Sequence, residues 1–132
     1  MSSLQLQCRQ EAPVTIISLH GRLDGNSSRE FEAFMAAHLA GDAPQIVLDS
    51  SNLVFISSAG LRELMLLARK LGKRGGKASI IGASPLIRET LAMTGIDGLF
   101  HFTNDLEAAK KAAQGGRSTG AGFLESWFKR SS

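Results

Sequence analysis

The run Ile46-Val47-Leu48 constrains this chain more than any other stretch. Three successive apolar residues leave no polar face, so a strand built on them needs cover on both sides. Helical patterns flank it. Phe31, Phe34, Met35 and His38 fall at i, i+3, i+4, i+7 before it, and Leu61, Leu64, Met65, Ala68 and Leu71 make a similar stripe after it. An apolar strand between two amphipathic helices is the repeating unit of a parallel sheet with crossover helices.

The unit extends in both directions. Leu4, Leu6 and Cys8 alternate with Gln5, Gln7 and Arg9, the period of a half-buried strand. Pro13 interrupts, and Val14 to Leu19 resumes as a β-branched strand, so an antiparallel hairpin is predicted. Gly21 to Gly25 reads as a loop leaving the sheet. Ser27 with Glu30 reads as a capping box for the first helix, which Gly41 ends. Asp49 to Ser57 reads as a loop carrying Leu53, Phe55 and Ile56. A second helix starts near Ser58 and closes at Gly72, Gly75 and Gly76. Ala78 to Ile81 is a strand, and Ser84-Pro85 opens a helix with Ile87, Thr90, Leu91 and Thr94 on one face. Leu99 to Phe102 is a last strand. Thr103 or Asn104 caps a fourth helix that runs to Gln114.

The expectation is a single α/β domain over residues 1–114, ordered ββαβαβαβα, with a mixed, mostly parallel sheet. Residues 115–132 read as a Gly/Ser-rich linker and a short amphipathic segment, in which Phe123, Leu124, Trp127 and Phe128 form two i, i+4 pairs.

Composition narrows the function classes. Of 132 residues, 43% are apolar and 20% charged, ordinary for a globular domain. No run approaches the roughly 20 apolar residues of a membrane span, and no basic-then-apolar signal pattern opens the chain, so a cytoplasmic location is expected. Cys8 is the single cysteine, which excludes an internal disulfide. The net charge is +3, with Arg69, Lys70, Lys73, Arg74 and Lys77 gathered near one helix end. Cations favour that place in any helix, and no nucleic-acid motif accompanies them, so no direct nucleic-acid partner is expected.

Catalytic patterns fail one after another. His20, His38 and His101 are scattered and have no cysteine pair to complete a zinc site. Gly72 to Ser79 imitates a phosphate loop, but Leu71 stands where its first glycine belongs, Ala78 replaces the hydroxyl residue, and the stretch runs from helix to strand. The nucleophile elbow needs glycine two residues before its serine, and Phe55 and Ile56 stand there instead. No enzyme and no cofactor are expected.

What remains is the helix start at Ser57-Ser58-Ala59-Gly60-Leu61. Outward-facing amides and the helix dipole favour a phosphate at such a place. Phosphorylation would add about −1.5 to −2 charge there. Ala59 and Gly60 keep the surface small enough for another backbone to approach. The plainer reading of Ser57 or Ser58 is an ordinary N-cap, and from the residues alone both stand.

The segment from Ile46 to Leu61 resembles the signature of the STAS domain, named for sulphate transporters and anti-sigma factor antagonists. Ile46-Val47-Leu48-Asp49 matches its strand, Phe55-Ile56 its aromatic–aliphatic pair, and Ser57-Ser58-Ala59-Gly60-Leu61 its helix start. Gly21-Arg22-Leu23-Asp24 resembles the Gly-x-Leu-Asp loop of the same family. The resemblance implies an anti-sigma factor antagonist. Such a domain, unphosphorylated, binds a serine kinase that is also an anti-sigma factor and so frees a sigma factor. Phosphorylation ends the contact and a serine phosphatase restores it. By motif position Ser58 is the phosphoacceptor, and Asp24, Ser57, Ala59 and Gly60 surround it on the partner surface. Leu23 buries its side chain, and Asp49 orders the loop after it. Many members carry Asp where this chain has Ser57, so Ser57 is a second hydroxyl to consider. The alternative is an unphosphorylated STAS-like subunit of a transport or scaffold complex, docked permanently through the same helix end. An enzyme using Ser58 ranks last. For the C-terminal segment, burial on the domain or in a homodimer ranks above membrane contact.

Overall fold

The computed structural model describes residues 3–39 and 44–114. The helix stop expected at Gly41 and the linker and apolar segment of 115–132 lie outside the described residues.

Five strands pair in chain order: β1 (Leu4–Glu11), β2 (Val14–Leu23), β3 (Gln45–Ile56), β4 (Lys77–Ile81) and β5 (His101–Phe102). β1 runs antiparallel to β2, and every later pair is parallel. The helices are α1 (Ser28–His38), α2 (Ser58–Lys73), α3 (Pro85–Thr94) and α4 (Leu106–Gln114). The order is the expected ββαβαβαβα, with one 3-10 turn at Ile96–Leu99 before β5.

The apolar run at 46–48 divides between the two faces as a strand must. Ile46 and Leu48 join Ile17, Leu19, Leu23 and Ile80 in the main core beneath α1, α2 and α3. Val47 points the other way and packs with Val14, Ile16 and Ala109, where α4 covers the sheet. In α2 the buried stripe is Gly60, Leu64, Leu67, Ala68 and Leu71. Each buried leucine there contributes roughly 1.5–3 kcal/mol. Lys70 and Lys73 close α2 with the sign its dipole favours.

The structure corrects several boundaries. The stretch Asp49 to Ser57, expected as a loop, is mostly strand, because β3 continues to Ile56 beside a β2 that itself runs to Leu23. Two register shifts, between Ser18 and His20 and between Gly21 and Arg22, let this happen. They bring Leu53 and Ile56, three residues apart, to the same buried side, which hides the period of two. Gly21, Arg22 and Leu23 therefore belong to the sheet and not to a loop. The last strand begins at His101 and not at Leu99, since Ile96 to Leu99 coils to bury its two apolar ends. Asp105 caps α4 by accepting the Ala108 amide at 2.9 Å, displacing Thr103 and Asn104 from that role.

Charge at the α1–α2 seam has a measurable consequence. Glu63 on α2 and Glu32 on α1 line that seam with Phe31, Met35, Leu67 and Lys70. Burial and the facing Glu32 carboxylate push the Glu63 carboxyl above its ordinary value, against the pull of Lys70 and Arg62. A carboxyl raised on folding favours the fold while protonated, and that contribution falls as pH rises through the ordinary carboxylate range. Glu63→Gln is therefore expected to raise Tm at pH 7, with the gain closing below about pH 4 in a series of thermal melts.

Candidate functional site

The site lies at the end of the sheet where β2 and β3 stop and α2 begins. Its frame is one carbonyl. The Leu23 oxygen, at the end of β2, accepts the Ser57 amide at 3.0 Å and so ties the start of α2 to the neighbouring strand. Gly60, in the first turn of α2, lies against the same oxygen. A Cβ there would fall on the Leu23 carbonyl and press the side chains of Leu23 and Ile56. Only glycine lets α2 sit this low, and Leu23 and Ile56 are buried under it.

The two hydroxyls at the junction have separate roles. Ser57 has extended backbone and is the N-cap. Its Oγ accepts the Gly60 amide at 3.3 Å, and its carbonyl accepts the Leu61 amide at 2.9 Å. Ser58, the first residue of α2, is exposed. The first turn of α2 carries no acidic side chain, so the dipole's positive end meets no carboxylate there. The plainer reading, a serine serving as N-cap, thus applies to Ser57, and Ser58 is left outward. Ala59 is half-buried, so the surface around Ser58 is low.

Asp24 stands in the adjoining loop, and donors hold it firmly. Its Oδ1 accepts the amides of Asn26 at 3.0 Å and Ser27 at 3.2 Å and the Ser3 hydroxyl at 3.3 Å. Burial works to raise this carboxyl, but the bonds from Asn26, Ser3 and Ser27 together outweigh it and hold the group below its ordinary value. Asp24 is accordingly a carboxylate at neutral pH.

Sequence reasoning missed part of this frame. Ser27 was expected to cap α1, but its Oγ makes no cap bond. The side chain is fully buried, donates to the Arg22 carbonyl at 2.8 Å and accepts the Asp24 amide at 3.0 Å. It closes the loop rather than the helix. Arg22 and Phe55 were also passed over as a pair. Once β2 and β3 are seen to pair this far, Arg22 stands opposite Phe55, and its guanidinium lies 4.4 Å from the ring centroid. Asp49, expected to order the residues after it, does so: its Oδ1 accepts the Ser51 amide at 3.1 Å and hydroxyl at 2.6 Å. All five residues named for the partner surface, Asp24, Ser57, Ser58, Ala59 and Gly60, fall in this region, though Gly60 is buried and shapes it from beneath.

Comparison with known proteins places this geometry among relatives. Residues 6–103 match the family described as "Mlab, STAS domain". A Bordetella bronchiseptica protein named "Putative anti-sigma factor antagonist BtrV" is 33% identical over 97 residues, 74% of this chain and 84% of its own length. The anti-sigma-F factor antagonist RsfB of Mycobacterium tuberculosis is 25% identical over 104 residues, 79% of this chain and 84% of its own. The crystal structure of an anti-sigma factor antagonist from Mycobacterium paratuberculosis superposes with a TM-score of 0.74 at 28% identity, over 86% of this chain and 99% of that one.

The Gly60 contact is open to a direct measurement. Gly60→Ala is expected to lift the first turn of α2 from Leu23 and to destabilise the domain by about 1–3 kcal/mol in urea unfolding. An unchanged midpoint would mean that the Leu23 carbonyl is not the fixed seat described.

Proposed function

We propose that this chain, which belongs to the STAS domain family, acts in the cytoplasm as an anti-sigma factor antagonist controlled by phosphorylation of Ser58. Its partner is an anti-sigma factor that is also a serine kinase. The observation that carries this reading is the division of labour between adjacent hydroxyls, Ser57 capping α2 and Ser58 lying exposed on its first turn.

The mechanism follows from charge and shape. Unmodified, Ser58 and Ala59 present a low surface beside the Asp24 carboxylate, and the partner's backbone packs closely on it. The kinase transfers the γ-phosphoryl group of ATP to the Ser58 hydroxyl oxygen: the P–O bond to the departing ADP breaks as the bond to Ser58 forms, and the hydroxyl proton passes to a base of the kinase. The added charge of about −1.5 to −2 sits near Asp24 and enlarges the contact point. A partner surface shaped for a neutral helix start then loses both fit and electrostatic balance. The fold tolerates the change, because anions at a helix N-terminus are favoured by about 0.3–1 kcal/mol. Partner release therefore needs no unfolding. A serine phosphatase that hydrolyses the phosphate ester restores the binding surface.

The second reading is an unphosphorylated STAS-like subunit of a transport or scaffold complex, docked permanently through the same helix start.

Pull-down from native-host lysate with added ADP separates the two, using wild type, Ser58→Ala and Ser58→Asp as baits. The switch requires wild type and Ser58→Ala to capture a kinase-type anti-sigma factor and Ser58→Asp to lose it, with Tm of Ser58→Asp equal to or above wild type. Equal capture of a different complex by all three would establish the permanent subunit instead.

A further inference from the structure

Where β2 and β3 end, close to Ser58 in the chain, is a pair of side chains that the switch itself does not use. Arg22 and Phe55 are register partners on β2 and β3. Both point away from the α1–α3 layer, since their neighbours Leu23 and Ile56 fill the core beneath it. The Arg22 guanidinium covers the Phe55 ring at 4.4 Å, and its Nε approaches Asp24 Oδ2 at 3.5 Å. Asp24 is itself fixed through Oδ1 by three donors, so it is a rigid post. Arg22 is thus laid on the Phe55 ring, with Asp24 drawing it more weakly at long range, while its side chain stays 52% exposed. Val54, next to Phe55, is 60% exposed, and Phe55 itself is 37% exposed.

The arrangement adjoins the switch residues along the chain. Phe55 lies two residues before the N-cap Ser57, and Arg22 precedes the carbonyl that holds Ser57 in place. Stacking on the ring and the use of Nε leave the terminal guanidinium nitrogens as a preset fork of donors. A planar fork of this kind matches a carboxylate. The exposed edge of Phe55 and the Val54 side chain add apolar area next to it. Arginine and aromatic side chains held in place before contact are the groups that dominate binding energy, because little freedom is lost when they engage.

We propose that Arg22 and Phe55 form a specificity determinant for the antagonist's partner, selecting an anti-sigma factor that presents a carboxylate flanked by an apolar side chain. This rests on the reading of the Ser58 surface given above. Phe55 supplies the platform, Asp24 sets the direction of the fork, and Arg22 reads the partner's charge.

The test uses the full chain and, as probe, the purified anti-sigma factor captured by the wild-type bait, with Kd measured by calorimetry at two salt concentrations. Arg22→Glu is expected to weaken binding at least about tenfold. Arg22→Lys keeps the charge but loses the planar fork, and falls between Arg22→Glu and wild type. Phe55→Ala frees Arg22 and weakens binding too, and in a cycle with the single variant Arg22→Ala the double variant Arg22→Ala/Phe55→Ala loses less than the sum of the two single losses. Arg22 is half exposed, so its variants keep the wild-type Tm; Phe55 is more covered, so Phe55→Ala lowers Tm and its Kd is read well below its own melting range, where a folding defect is separable from a binding one. Arg22→Glu binding within twofold of wild type overturns the inference while leaving the switch intact. Loss in Phe55→Ala with Arg22→Glu unaffected leaves only an apolar contact and overturns the carboxylate-bearing partner. A wild-type bait that captures no anti-sigma factor overturns the reading and this inference together.

Discussion

The Leu23 carbonyl is the point on which the site depends. It ends one strand, receives the first amide of the junction to α2, and forms the floor beneath Gly60. A carbonyl oxygen has two lone pairs and tolerates one hydrogen bond with a close neighbour, provided that neighbour has no side chain. That geometry seats α2 low over Leu23 and Ile56, which keeps the residues after the N-cap near the surface of the sheet's end rather than raised above it. Everything proposed for Ser58 requires this low seat.

Around it the loop from Asp24 to Ser27 is closed by its own polar atoms. Asp24 Oδ1 collects three donors, and the buried Ser27 hydroxyl joins the loop to the strand it leaves. A loop built this way is already in its contact conformation before any partner arrives. Its carboxylate keeps the charged form by hydrogen bonding rather than by an isolated ion pair, because the Arg22 contact at 3.5 Å is long and exposed and contributes little to stability.

Much of this was legible in the residues. The apolar run at 46–48, the stripe of α2 and the Ser84-Pro85 helix start all act as local physics predicts, and Ser84 Oγ does accept the Ile87 amide at 3.3 Å. Ser58 and Asp24 were singled out through motif order, and they lie on either side of the Leu23–Ser57 junction. What escaped was whatever depends on neighbours distant in sequence. The polar stretch Asp49-Ser50-Ser51-Asn52 has the composition of a loop, yet β2 continues beside it and supplies ladder partners. Ser27 has the spacing of a capping box, yet a buried position next to two backbone groups of the preceding loop binds its hydroxyl more fully than a helix start could. Neither competition can be weighed from a local window.

Where β2 and β3 end, residues next to one another in the chain have opposite duties. Leu23, Ile56 and Ser57 hold the fold together, while Arg22, Phe55 and Ser58 beside them face outward. Mutations can therefore rewrite the outward set one residue away from the core without passing through unfolded intermediates. A duplicated gene could drift to a new partner by changes at a few such positions, and the two copies would soon cease to interfere with each other's signals. Fidelity among parallel pathways is in this sense a by-product of strand geometry.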